Sequence, residues 1–192
     1  MSYILFDVDT QQDFMNSDGA LYVPGAEKLK RKIAREVIRA LQNGIQIVGS
    51  LDIHDGTEAE MIENGGPFPR HCMEDTLGAQ KIEETPNEYI VINPGDYDNI
   101  KDAIDTKTPI YFSKTTYDVF ENPELEKFIT KYGVKEARII GVATDYCIKA
   151  AVLGMQNLGV HCVVLTDAIA GIDKNTSKNA LIEMENAGAE IV

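Results

Sequence analysis

The chain has 192 residues, 44% of them hydrophobic, with a formal net charge of −13. That length supports one sizeable core and does not require two, so a single domain over residues 1–192 is expected. The negative charge argues against nucleic acid or an anionic membrane as a partner, and no apolar run is long enough to span a bilayer.

Residues 3–9 read as a first strand, apolar enough to be central in a parallel sheet. Asp7 and Asp9 within it argue against a signal peptide. It runs out into Asp9-Thr10-Gln11-Gln12-Asp13-Phe14. Leu29, Ile33, Val37 and Leu41 recur every four residues, which predicts an amphipathic helix closed by Asn43-Gly44. Residues 45–51 form a second strand, followed by Asp52-Ile53-His54. Residues 55–88 are irregular and acidic, and they carry Phe68-Pro69-Arg70-His71-Cys72; so long a loop carries function or is mobile. Residues 89–92 are a short strand or extended segment, with a weak helix over 97–103. The strand 109–113 leads to Lys114, and Pro123 opens a helix that ends at Gly133. Residues 138–142 form a strand that turns through 143–147 into a helical pattern capped by Gly159. Residues 161–165 make a fifth strand, 175–187 the last helix, and 189–192 leave room for an edge strand.

Strands alternating with glycine-closed helices predict an α/β fold, a mainly parallel sheet of five or six strands with helices on both faces. In such sheets ligands sit outside the carboxyl ends of the strands. Asp9, Asp52 with His54, Lys114 and Cys147 follow four different strands, so they are expected on one rim. Cys72, Cys147 and Cys162 form an odd, sparse set without paired spacing, which suits a reducing cytoplasm.

Cys147 falls where a strand turns into a helix, a place where a thiol loses its proton easily and an oxyanion can be held. Lys114 would stabilise the thiolate, and Asp9 would take the thiol proton and return it to a leaving amine. Asp52, His54 and His71 are a donor set suited to Zn²⁺ or Fe²⁺. His161, at the start of a strand, reads as structural.

These motifs, with Lys114-Thr115-Thr116-Tyr117 and Gly141-Val142-Ala143-Thr144-Asp145-Tyr146-Cys147, occur in an order that resembles the nicotinamidase branch of the isochorismatase-like cysteine hydrolases over nearly the full length. The resemblance implies that family's Rossmann-type three-layer sandwich, with Asp9, Lys114 and Cys147 as catalytic triad. It further implies a cis peptide between Val142 and Ala143, and an oxyanion hole made by the backbone N–H groups of Ala143 and Cys147. It implies a divalent metal, zinc foremost with iron or manganese as alternatives, on Asp52, His54 and His71, where it receives a pyridine nitrogen. Phe14 and Phe68 would wall the ring, and the chain would form a homo-oligomer. Two departures stand out: Phe68 where many nicotinamidases have Trp, and Glu58 and Glu60 where several have a further His.

The activity implied is ammonia release from a small carboxamide, nicotinamide foremost, through a Cys147 thioester. The rival within the family is another small amide of carbamoyl, ureido or maleamate type. A different rival is phosphoryl transfer, since Phe6-Asp7-Val8-Asp9-Thr10 resembles the start of haloacid-dehalogenase-type phosphatases. Gln11 stands where that motif needs Thr or Val, and no late acidic pair offers a Mg²⁺ site. A binding module without turnover is the third reading.

Overall fold

A computed structural model describes residues 2–192. Its strands are β1 (Tyr3–Val8), β2 (Gln46–Asp52), β3 (Ile90–Ile92), β4 (Ile110–Lys114), β5 (Glu136–Val142), β6 (His161–Ala170) and β7 (Glu190–Ile191). Its helices are α1 (Gln12–Met15), α2 (Lys30–Gln42), α3 (Ile100–Thr106), α4 (Pro123–Tyr132), α5 (Lys149–Asn157) and α6 (Lys174–Asn186). The strands form one sheet in the order β3-β4-β2-β1-β5-β6-β7, with every neighbouring pair parallel. Among the described residues, no helix is long and apolar enough to cross a membrane.

The period-two alternation of β1 divides the core. Ile4, Phe6 and Val8 face one cluster, with side chains from α3, α4, α5 and α6, while Leu5 faces the other, with Met15, Ile33 and Val37. Helices therefore cover both faces, as expected. Ile4, Phe6 and Val8 are fully buried, each contributing about 1.5–3 kcal/mol over an exposed position. That burial offsets the cost of carrying Asp7 and Asp9 into the interior on the same segment.

The sheet has seven strands, more than the five or six expected. β3 and β7 are three and two residues long, too short to show a period in the sequence. β6 continues past Leu165 to Ala170 because the register slips between Ile139 and Gly141, and exposed Thr166 and Asp167 hide the continuation. α3 starts three residues later than the expected 97, and it is closed by Lys107 at φ 61° rather than by glycine. On α2, Ile33 and Val37 are buried but Leu41 is half exposed, and Ala40 takes its place. A residue every four positions advances about 40° per step, so the row leaves the buried face by Leu41.

The connections leave β1 toward β2 on one side and reach β5 on the other, which makes the β1–β5 crevice the topological switch point. Asp9 follows the end of β1, and Cys147 follows the end of β5.

Candidate active site

The backbone turns sharply at Asp9, which has a positive φ of 45°, uncommon outside glycine. This directs its carboxylate under the sheet rim, where Oδ1 accepts from Ser50 Oγ at 2.7 Å. Its other oxygen, Oδ2, lies 3.0 Å from Lys114 Nζ. Lys114 ends β4, is almost fully buried, and places Nζ 3.0 Å from Asp52 Oδ1 and 3.7 Å from Cys147 Sγ. Burial alone would lower the Lys114 pKa, but the charges of Asp52 and Asp9 outweigh it and hold the ammonium well above its ordinary value.

Cys147 lies in a turn over Thr144–Ile148 whose wide loop is closed by Ile148 N–H donating to Ala143 O at 3.1 Å. α5 continues directly from it. The Val142–Ala143 peptide is cis, as the resemblance implied. The ease of thiol ionisation expected from this turn is opposed by the surroundings of the sulfur. Burial pushes the Cys147 thiol well above its usual range, Lys114 pulls it down, and Asp9 and Asp52 add to the rise. The Cys147 sulfur thus sits beside the Lys114 ammonium, with the Asp9 carboxylate placed to take its proton.

The second half of the site is a knot of metal-type donors: Asp52, His54, Glu60 and His71. His54 Nε2 is 3.0 Å from Asp52 Oδ2 and 3.3 Å from Glu60 Oε1. His71 Nε2 is 3.1 Å from Asp52 Oδ2 and 3.6 Å from Glu60 Oε1. These separations bracket about 3.3 Å, the edge of a tetrahedron with zinc–ligand bonds of about 2.0–2.1 Å. Both ring nitrogens of His54 are buried without a hydrogen-bond partner, which a metal would supply at one of them. His71 Nδ1 sits 2.8 Å from the Pro69 carbonyl, which can only accept, so Nε2 is left with its lone pair toward the knot. The donor set fits a divalent ion. Burial would raise the Asp52 pKa, but Lys114 and the two histidines hold its carboxyl well below the ordinary range. Burial would lower that of His54, yet Asp52, Glu60 and Glu58 carry it above its usual value. Glu60 itself is raised, by burial first and by Asp52 next.

Glu60 is the member that sequence reasoning missed as a ligand, although it occupies the segment where a further histidine was looked for. Two others were missed as supports. Gln11 Nε2 donates to Asp52 O at 2.6 Å and to Ala79 O at 2.8 Å, while its Oε1 accepts from Asp52 N at 2.8 Å. Asp13 Oδ2 accepts from Cys72 N at 2.7 Å, beside His71. The acid-and-amide stretch after β1 thus ties both halves of the site together.

The triad and three members of the knot, Asp52, Glu60 and His71, line one pocket of about 440 Å³ including its mouth, with His54 behind them. Phe14 and Phe68 line it as expected, their rings 5.5 and 6.1 Å from that of His71. Leu21, Val23, Tyr117, Tyr146 and Ile172 complete the walls, and Phe68 and Tyr146 meet edge to face at 6.1 Å. Tyr117 and Tyr146 fall within motifs singled out in the sequence, without a role given there, whereas nothing in the local sequence marked Leu21, Val23 or Ile172. Asp7, the nucleophile a phosphatase would need, is instead fully buried and held by Thr10 and Tyr111, with Lys81 beside it. His161 is half exposed, 3.5 Å from Glu190 and outside the pocket.

An all-parallel α/β sheet that brings a thiol, an ammonium, a carboxylate and a metal-type donor knot to its switch point has the architecture of a small-molecule hydrolase. The chain belongs to the isochorismatase family: residues 3–192 match the Isochorismatase domain, and the relatives group it with the nicotinamidase branch. It is similar to the pyrazinamidase of Pyrococcus horikoshii, solved in complex with zinc, at 32% identity and a TM-score of 0.84, covering 100% of this chain and 99% of that one. It is 26% identical to the nicotinamidase/pyrazinamidase of Mycobacterium tuberculosis over 98% of this chain and 97% of that protein. It is 25% identical to the nicotinamidase of Saccharomyces cerevisiae over 85% of each.

Proposed function

We propose that this protein hydrolyses the carboxamide of a small uncharged heteroaromatic amide, nicotinamide foremost, to the acid and ammonia. The observation that carries the reading is Lys114 Nζ lying 3.7 Å from Cys147 Sγ and 3.0 Å from Asp9, in a pocket that also holds the donor knot. The pyrazinamidase and nicotinamidase names of its relatives support the same reaction class.

Cys147 Sγ would attack the carboxamide carbon as Asp9 accepts the thiol proton, with Lys114 offsetting the charge that develops on sulfur. Backbone N–H groups of Ala143 and Cys147 would hold the carbonyl oxygen as it gains charge. Asp9 then returns the proton to the departing nitrogen, ammonia leaves, and a Cys147 thioester remains. Water, deprotonated by the same carboxylate, attacks the thioester and frees the acid and the thiol. A divalent ion on Asp52, His54, Glu60 and His71, zinc as in the Pyrococcus horikoshii protein, would supply a Lewis-acid partner for a ring nitrogen. Phe14 and Phe68 would hold the ring between them.

The walls also favour a neutral amide over a ureido or maleamate acid. Lys114 is the one lysine or arginine among the residues lining the pocket, and it is already held by Asp9 and Asp52. A substrate carboxylate would enter beside Asp9, Asp52 and Glu60, and the one cation left to meet it would be an ion on the donor knot, in the place of the ring nitrogen. Ammonia release from nicotinamide by the parent and by Cys147→Ala tests the reading. Loss of turnover in the variant and a thioester adduct in the parent by mass spectrometry are expected; turnover within tenfold of the parent would remove Cys147 from the mechanism.

A further inference from the structure

Asp145 stands two residues before Cys147, in the same turn, yet it does not line the pocket. Its side chain is 8% exposed and points to the segment joining β6 to α6. There Oδ1 accepts from Ile172 N at 3.0 Å, and Oδ2 accepts from Asp173 N at 3.2 Å and from Thr176 Oγ1 at 2.6 Å. The approach is close: a Cβ on Gly171 would lie 2.8 Å from Asp145 Oδ1 and 2.0 Å from Ser177 Oγ. Asp173 in turn caps α6, its Oδ1 accepting from Asn175 N and Thr176 N at 2.8 and 3.0 Å.

This one carboxylate joins two pieces of pocket wall that are distant in sequence. On its own turn the next residue, Tyr146, lines the pocket and is followed by the nucleophile; on the other segment Ile172 lines the pocket. Charge-accepting hydrogen bonds to two backbone N–H groups and a hydroxyl are the strong kind. A site of this type must hold its reacting atom within about 0.5 Å of the productive position.

We propose that Asp145 is a positioning residue for catalysis: it locks the segment that carries Ile172 onto the nucleophile turn and thereby fixes where Cys147 meets the substrate carbon. It acts through the turn and touches no reacting atom. The proposal rests on the amidase reading, so its test is built to fail separately from it.

Asp145→Asn keeps the shape and sets an N–H₂ group against donors that need an acceptor. It is expected to lower kcat about tenfold, a loss typical of slight misplacement at a reacting centre, with KM for nicotinamide within about threefold and metal content unchanged. Thr176→Val removes one bond from the far side and should lower kcat about threefold. The double variant should be no slower than Asp145→Asn alone, because both break one linkage. Should Asp145→Asn not fold, Thr176→Val decides alone. A lowered melting temperature with kcat unchanged in Thr176→Val would make the contact purely structural and overturn the proposal. A parent that releases no ammonia sinks the amidase reading instead. In that case the rate of Cys147 alkylation by iodoacetamide decides: a change of threefold or more in Thr176→Val upholds the role of Asp145, and an unchanged rate overturns it.

Discussion

Asp52 and Lys114 are register partners on neighbouring strands β2 and β4, and their side chains meet at 3.0 Å, Oδ1 to Nζ. The other carboxylate oxygen, Oδ2, is turned to His54 and His71 at 3.0 and 3.1 Å. One buried carboxylate therefore belongs to the donor knot and to the triad at once, and the ammonium between Asp52 and Asp9 links the two halves.

Removing that ammonium tests its structural share. Lys114→Met would leave buried Asp9 without a cation and its neighbour Asp52 with His54 and His71 alone. Breaking a buried pair in this way costs about 3–5 kcal/mol. For a chain of this size that corresponds to a melting-temperature fall of roughly 6–20 °C, at about 2–4 °C per kcal/mol. Lys114 also opposes the rise in the Cys147 pKa, so alkylation of the variant thiol at fixed pH should slow. Calorimetry showing a fall under about 2 °C would mean that the carboxylates are not held by Lys114.

Metal retention should depend on pH with a definite sign. His54 has a pKa above its ordinary value, and an ion must displace that proton to bind. Affinity is then full where His54 is neutral, falls as pH drops through its raised pKa, and falls further as Glu60, also raised, takes its proton. Each displaced proton contributes about a tenfold loss per pH unit below the pKa concerned. Zinc content after dialysis at a series of pH values reads this directly. An affinity flat from about pH 8 to pH 5 would remove His54 and Glu60 from the ligand set.

Glu60→Ala separates the knot from the nucleophile. Loss of one donor of four should weaken zinc binding at least as much as loss of an outer partner does, about 10–100-fold. Cys147 alkylation in the metal-free protein should stay near the parent rate, because Asp9, Asp52 and Lys114 are untouched. Unchanged zinc affinity would leave Asp52, His54 and His71 as the whole ligand set.

Much of this site was legible in the sequence because strand ends are. Asp9, Asp52, Lys114 and Cys147 each close or follow an apolar run, and a parallel sheet brings such ends together. What was not legible depends on loops and on charge balance. Glu60 joins the knot because residues 55–88 fold back through bridges of Met61 with Phe68 and of His54 with Met73. No local period encodes such bridges. Tyr146 and Ile172 come to one wall from segments distant in sequence, which the Asp145 hydrogen bond to Ile172 N joins. The thiol expectation was incomplete for a related reason: the helix start and Asp9 were visible, but the burial of the sulfur and its approach to Asp52 were not. The short edge strands β3 and β7 were legible as extended segments but not countable as strands, and the β6 extension beyond its register slip escaped, because period-two patterns need more residues than these stretches offer.

The pocket walls make a last prediction about substrate charge. Beyond Asp9, Asp52, Glu60, His71 and Lys114, the lining is apolar or aromatic, and the single lysine is already paired. An amide bearing its own carboxylate would be desolvated there beside Asp9, Asp52 and Glu60 and could pair only at the metal, in place of the ring nitrogen, which costs several kcal/mol. Its kcat/KM should fall at least about 100-fold below that of nicotinamide, since each 1.4 kcal/mol is about a factor of ten. Ile172→Arg, which puts a cation on the half-exposed wall, should narrow that gap by improving the charged amide and not the neutral one. Ammonia release from nicotinamide and from maleamate by both proteins measures the ratio; equal turnover of the two amides by the parent would show that the walls do not select against charge.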